Sequence, residues 1–290
     1  MGSEMCIRDS DAAVHAIQAC IPHATLLPIG VKRLGLSSMD APGPYVVWAW
    51  ERSREGSTFI YDVIVRGLDG SVLEHWDGLR LQAVNQTTSK EPWVGPLLAP
   101  YIERRLQELI PGSNVSVALD HNSNSDRRHR SDQAIQRALG KTVPVWRRPD
   151  GKPEIQGSSE VSSAHSKNVT LAIEGPGPLA CDIEPVVTRP VSIWRDLVGL
   201  ERFKLAEVIR RETGEDQDTV ITRIWTAGEC LKKAGAMANA PLVLLARTAD
   251  GWVLLSSGSL IVATFAAQVR GFERGLVLAV LVRGSGDARL

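Results

Sequence analysis

The chain has 290 residues, 43% apolar and 23% charged, which is enough to bury the cores of two domains of a soluble globular protein. Lysine plus arginine equals aspartate plus glutamate at 33 each, so no global basic field draws the chain to nucleic acid or to an anionic membrane, and anion binding has to come from local clusters. No run of 18 apolar residues spans a bilayer, and four scattered cysteines (Cys6, Cys20, Cys181, Cys230) lack metal-finger spacing, so reduced thiols and a cytoplasmic location are expected.

Met1–Ser10 reads MGSEMCIRDS, which fits neither a signal peptide nor a helix start. It is similar to a translated sequencing-library adapter, so residues 1–10 are expected to be foreign and the remainder to be the end of something longer. From Asp11 onward, Ala12–Ala19 is helix-prone and Pro22 stops it. Tyr45–Trp50 reads as a strand. Phe59–Gly67 and Ser71–Leu81 read as a hairpin closed by a type I′ turn at Asp69-Gly70, with Phe59, Tyr61, Val63 and Val65 on one face. Residues 86–96, within NQTTSKEPWVGP, read as a linker between a first domain (11–85) and a second (97–290).

In the second domain Ile102, Leu106, Leu109 and Ile110 share a helical face that Pro111-Gly112 ends. Asn114–Leu119 suits a strand. Ser131 reads as the N-cap of a helix closed by Gly140. A strand at Leu179–Glu184, a helix over Trp194–Arg211 and a long helix over Asp218–Ala236 follow. Strands at Leu242–Arg247, Trp252–Ser256 and Leu276–Val282 complete an α+β order.

Several residues carry chemistry. Asp182 and Glu184, at i and i+2 of a strand, share a face; such carboxylates either sit in water or share a cation such as Mg²⁺. Glu229 and Lys233, at i and i+4, form either a surface ion pair or a functional couple at the margin of an apolar stripe that includes Trp225. His165 lies in a small-residue stretch after an expected loop, Lys152 follows the Asp150-Gly151 turn, and Arg127, Arg128 and Arg130 form a basic cluster beside Ser131.

In order, the segments GKPEIQG, VSSAHS, ACDIEP and RIWTAGECLKKAG resemble the two-lobed phosphopantetheinyl transferase family. That resemblance implies two similar α+β lobes, with coenzyme A and Mg²⁺ in the cleft between them. Asp182, Glu184 and Glu229 would hold the metal. His165 and Lys152 would contact coenzyme A phosphates, Lys233 would stabilise the attacked pyrophosphate, and Arg130 and Ser131 would touch the nucleotide end. Glu229 would be the base for the serine of an acyl carrier protein or carrier domain, directly or through water. The family has Lys before the motif glutamate, whereas this chain has Gly228.

The front of the chain, Asp11-Ala-Ala-Val-His15, resembles the second catalytic motif of polyketide synthase dehydratases, and Trp76–Val84 resembles their closing strand. The implied fold is the second half of a double hotdog, with Asp11 as its remnant acid or, on local grounds, a helix N-cap. Without the histidine of the first half this remnant is expected to be inactive. The domain order resembles the end of enediyne-type iterative polyketide synthases. An alternative is a transferase-like docking module that has lost turnover with Gly228.

Overall fold

Period-two alternation along one strand organises the first unit, which ends at Ser89, where the second begins at Lys90. The computed structural model describes residues 14–15, 17–18, 21, 24–37, 43–86, 92–121, 126–237 and 239–284. Strands β1 (Ala24–Leu36), β2 (Tyr45–Glu55), β3 (Thr58–Gly67) and β4 (Val72–Gln86) form an antiparallel sheet in the order β1-β4-β3-β2. Phe59, Tyr61, Val63 and Val65 do share one face, and with Trp76, Leu79 and Leu81 of β4 they bury Ile17 and Ile21.

The hairpin turn differs from expectation. The Gly67 amide donates to the Ser71 carbonyl at 3.0 Å, which leaves three loop residues rather than two. Gly70 has φ +86°, but among the described non-glycine residues only Lys167 has a positive φ. Asp69 therefore does not take the type I′ conformation; its carboxylate instead accepts from the Ser71 amide at 3.0 Å. β1 was not predicted at all. Its Pro28, Gly30 and Gly35 mask it in sequence, and an edge strand with bulges accommodates them. Asp11 lies outside the described residues.

In the second unit, α1 (Gly95–Leu109), β5 (Ser116–His121), α2 (Arg127–Ala138), the short β6 (Trp146–Arg147) and β7 (Pro153–Glu154), β8 (Glu160–Ser166), β9 (Val169–Gly175) and β10 (Ala180–Pro185) come first. Helices α3 (Val191–Val198), α4 (Leu200–Thr213) and α5 (Gln217–Lys233) precede β11 (Val243–Arg247), β12 (Trp252–Ser257), β13 (Leu260–Ala267) and β14 (Leu276–Arg283). Two antiparallel sheets result, β5-β9-β8 and β10-β14-β13-β12-β11, with β10 packed along β8.

One core lies between α1 and the two sheets, from Leu98, Tyr101, Ile102 and Leu106 to Leu171, Ile183, Trp252 and Leu278. A second packs α3, α4 and α5 on the far face of the larger sheet, and a third seats α2 on the smaller one. Mixed helices and antiparallel sheets of this kind fit the α+β class expected.

Two elements correct the sequence reading and a third completes it. Ser131 is not an N-cap: Asp126 caps α2, accepting from the Arg128 and His129 amides, and Ser131 lies buried within the helix. The helix expected over Trp194–Arg211 is two helices, because Gly199 takes φ +78°, ψ +160°, a conformation that only glycine adopts readily. VSSAHS follows a loop, as expected, and is itself part of β8, so His165 sits on a strand. No helix among the described residues is long and apolar enough to cross a membrane.

Candidate functional site

Strand periodicity sets the acidic side of the site. Along β10, Ala180 packs into the core shared with α5, while Cys181 and Ile183 enter the core on the opposite face. Asp182 and Glu184 therefore face α5, as i and i+2 positions must. Lys233, in the last turn of α5, donates to Asp182 Oδ1 at 2.7 Å and to the Cys181 carbonyl at 2.8 Å. Asp182 Oδ2 is buried and has no hydrogen-bond partner among the described residues. Burial pushes the Asp182 carboxyl above its ordinary range, and the nearby ammonium only partly offsets this. Glu184 is pushed up by burial and by the charges of Asp182 and Glu229, while the Trp225 side chain hydrogen bonds to it.

Glu229 and Lys233 do not pair with each other. Glu229 is instead 3.7 Å from Lys232, one turn on, and Lys233 turns to β10. The reason is burial: a carboxylate only 7% exposed on β10 needs a counter-charge more than does Glu229, whose side chain is 29% exposed.

The basic side is built from three further elements. On β8, Ser163 and His165 share the face turned to α2, and the Ser163 and Ser131 hydroxyls are 2.7 Å apart. Arg147 donates to the Ser131 hydroxyl at 3.1 Å and pairs with Asp132. The β6–β7 turn is closed by the Gly151 amide on the Arg148 carbonyl at 2.8 Å, and beyond it Lys152 pairs with Glu160 at 3.0 Å.

These elements converge on a cleft of about 730 Å³. Arg127, Arg128, Arg147, Arg148, Lys152, Lys232 and Lys233 line it, against two carboxylates, Asp150 and Glu229. A chain with no net charge has thus concentrated positive charge at one place. His165, also in the cleft, donates to or accepts from the Thr170 hydroxyl at 2.9 Å. Burial and the charges of Arg127, Arg130, Lys233 and Arg147 lower it to about 4, so it is neutral near pH 7.

Ser131, Lys152, His165, Glu229 and Lys233 from the sequence prediction therefore meet in one cleft, and Asp182 joins through Lys233. Arg130 does not line it; its side chain is buried in α2 and acts on His165 through its charge. Arg147, Arg148, Ser162 and Ser163 were missed. The signal for the two arginines was their place just before the Asp150-Gly151 turn, which brings two more cations to the position of Lys152.

The three acidic residues fit a hard cation in kind: all are oxygen donors, and one buried oxygen lacks a partner. They are not drawn together as a closed cage, since no group of three His, Cys, Asp or Glu side chains among the described residues is placed to hold a metal ion.

No curated protein matches the chain. Residues 10–91 match the family described as the polyketide synthase dehydratase N-terminal domain, whereas the sequence motifs had suggested the second half of that fold. This match supports a polyketide synthase dehydratase region at residues 10–91.

Proposed function

We propose that residues 97–290 transfer 4′-phosphopantetheine from coenzyme A to a serine of an acyl carrier protein or carrier domain in polyketide biosynthesis. One observation carries this reading: four sequence segments far apart in the chain place Ser131, Lys152, His165, Glu229 and Lys233 in a single, strongly basic cleft. A ligand with several phosphates needs such charge, and coenzyme A carries three phosphates.

In this reading the carrier serine oxygen attacks the phosphorus nearer the pantetheine. The bond from that phosphorus to the bridging oxygen breaks, and 3′,5′-adenosine bisphosphate leaves. Glu229 takes the serine proton. Lys233 and Lys232, at the end of α5, balance charge on the pyrophosphate, and Arg147, Ser131 and Lys152 hold the nucleotide end. His165 is neutral in the free protein and donates a hydrogen bond, or becomes charged once phosphate is beside it. Asp182, Glu184 and Glu229 would hold Mg²⁺, which supplies charge neutralisation at the pyrophosphate.

Mass spectrometry of an apo carrier protein incubated with the full chain, coenzyme A and Mg²⁺ tests the proposal. Gain of one phosphopantetheine on the serine, lost in Glu229→Gln, supports it; coenzyme A binding with no transfer indicates a docking module instead. The dehydratase match favours a second role for residues 11–85, either as part of a dehydratase or as an inactive remnant. Water loss from a β-hydroxyacyl thioester, abolished by Asp11→Asn, separates those two.

A further inference from the structure

Lys233 belongs to both sides of the site. Its ammonium is bound to Asp182 Oδ1 and to the Cys181 carbonyl, yet the same side chain lines the basic cleft. Asp182 Oδ2 is buried and unpartnered among the described residues, and Glu184 and Glu229 lie close enough to act on Asp182 or on each other through their charges. The oxygen donors for a hard cation are present, but the most deeply buried of them already holds a positive charge.

We infer that Lys233 is a resident counter-ion that competes with the divalent cation for Asp182, and that an anionic ligand in the cleft relieves the competition by drawing the ammonium away. The inference rests on the proposed transferase reading and adds to it an order of events. A small dication demands near-ideal oxygen ligation and gives up water reluctantly, so it binds poorly beside an ammonium already seated on the same carboxylate. A polyphosphate in the cleft offers that ammonium a second partner. Metal and anion then bind with positive coupling through one side chain, and such coupling is reciprocal. The ammonium also protects the protein, because without metal a buried carboxylate would otherwise lack a counter-charge.

The test uses the full chain without coenzyme A and Mn²⁺ as the probe, with free Mn²⁺ read by electron paramagnetic resonance. Lys233→Met should bind Mn²⁺ about tenfold more tightly than wild type, within the range of ordinary site coupling. Lys233→Gln keeps hydrogen-bond donation to Asp182 without the charge; it should show the same gain and decides the matter where the Met variant does not fold. Lys233→Arg keeps the charge and should remain as weak as wild type. Unchanged or weaker Mn²⁺ binding in the neutral variants overturns the inference, as does tighter binding in the Arg variant. Calorimetry with coenzyme A on the same samples keeps two failures apart. Coenzyme A bound with no Mn²⁺ effect sinks the Lys233 inference alone, and no coenzyme A binding by wild type sinks the reading beneath it.

Discussion

The ammonium of Lys233 lies 2.7 Å from Asp182 Oδ1, joining the last turn of α5 to the strand β10. Asp182 is 7% exposed and the Lys233 side chain 33%, so the pair lies between a surface bridge and a buried one. Asp182→Ala leaves the ammonium with only the Cys181 carbonyl. The expected loss is about 2–3 kcal/mol, below the ~3–5 of a fully buried pair because Lys233 is partly solvated. Urea unfolding measures it. The same variant should fail to load a carrier; native stability together with native loading would show the pair to be idle.

Arg147 is expected to matter most among the cations that were not predicted. It contacts the Ser131 hydroxyl and Asp132 and stands in the cleft wall. Arg147→Ala should weaken coenzyme A about 10–100-fold, the scale of one charge-assisted hydrogen bond. Lys152→Ala should cost less, since its ammonium is a point charge paired with Glu160, whereas Arg147, also paired, presents a planar fork of donors. Calorimetry at two salt concentrations checks both the ranking and its electrostatic origin, which salt would reduce.

His165 offers a pH signature. Its value in the folded protein, about 4, lies below the ordinary 6.5, so the unfolded chain takes up the proton first. Its contribution to stability is complete above pH 6.5 and is lost as the pH falls toward 4. Histidine proton shifts followed by NMR should show this depressed titration in the free protein. Saturating coenzyme A should move it upward, because phosphates offset the surrounding arginines. An ordinary titration in the free protein would contradict the electrostatics of the cleft.

Gly228 and Arg202 form a close contact that a side chain would disturb. A Cβ at Gly228 would lie 2.9 Å from the Arg202 guanidinium, which also donates to the Ala240 carbonyl. Gly228→Ala gains about 1 kcal/mol of helix propensity but pushes that guanidinium aside. In wild type the two effects should nearly cancel. In an Arg202→Ala background the full gain should appear, and a double-mutant cycle by urea unfolding gives the difference. A gain of the same size in both backgrounds would remove the coupling.

What was legible in the sequence was local. Phe59, Tyr61, Val63 and Val65 alternate because a pleated strand turns every second side chain inward, and the structure buries them together. Asp182 and Glu184 share a face for the same reason, and the stripe of α5 follows the 3.6-residue period. The misses were local rules overruled by distant partners. β1 exists because β4 pairs with it in spite of its glycines and proline, and the Glu229–Lys233 spacing gave way to the stronger need of Asp182.

The amino-acid sequence alone determined the strand and helix periods, the turn residues and the supply of charged groups. Tertiary structure alone decided which of them meet: Lys233 with Asp182, Arg147 with Ser131, Arg202 with Gly228. The physical reason is that backbone periodicity acts over a few residues, whereas the placing of a charge depends on burial. Burial is settled only when segments tens of residues apart pack together and leave a carboxylate without water.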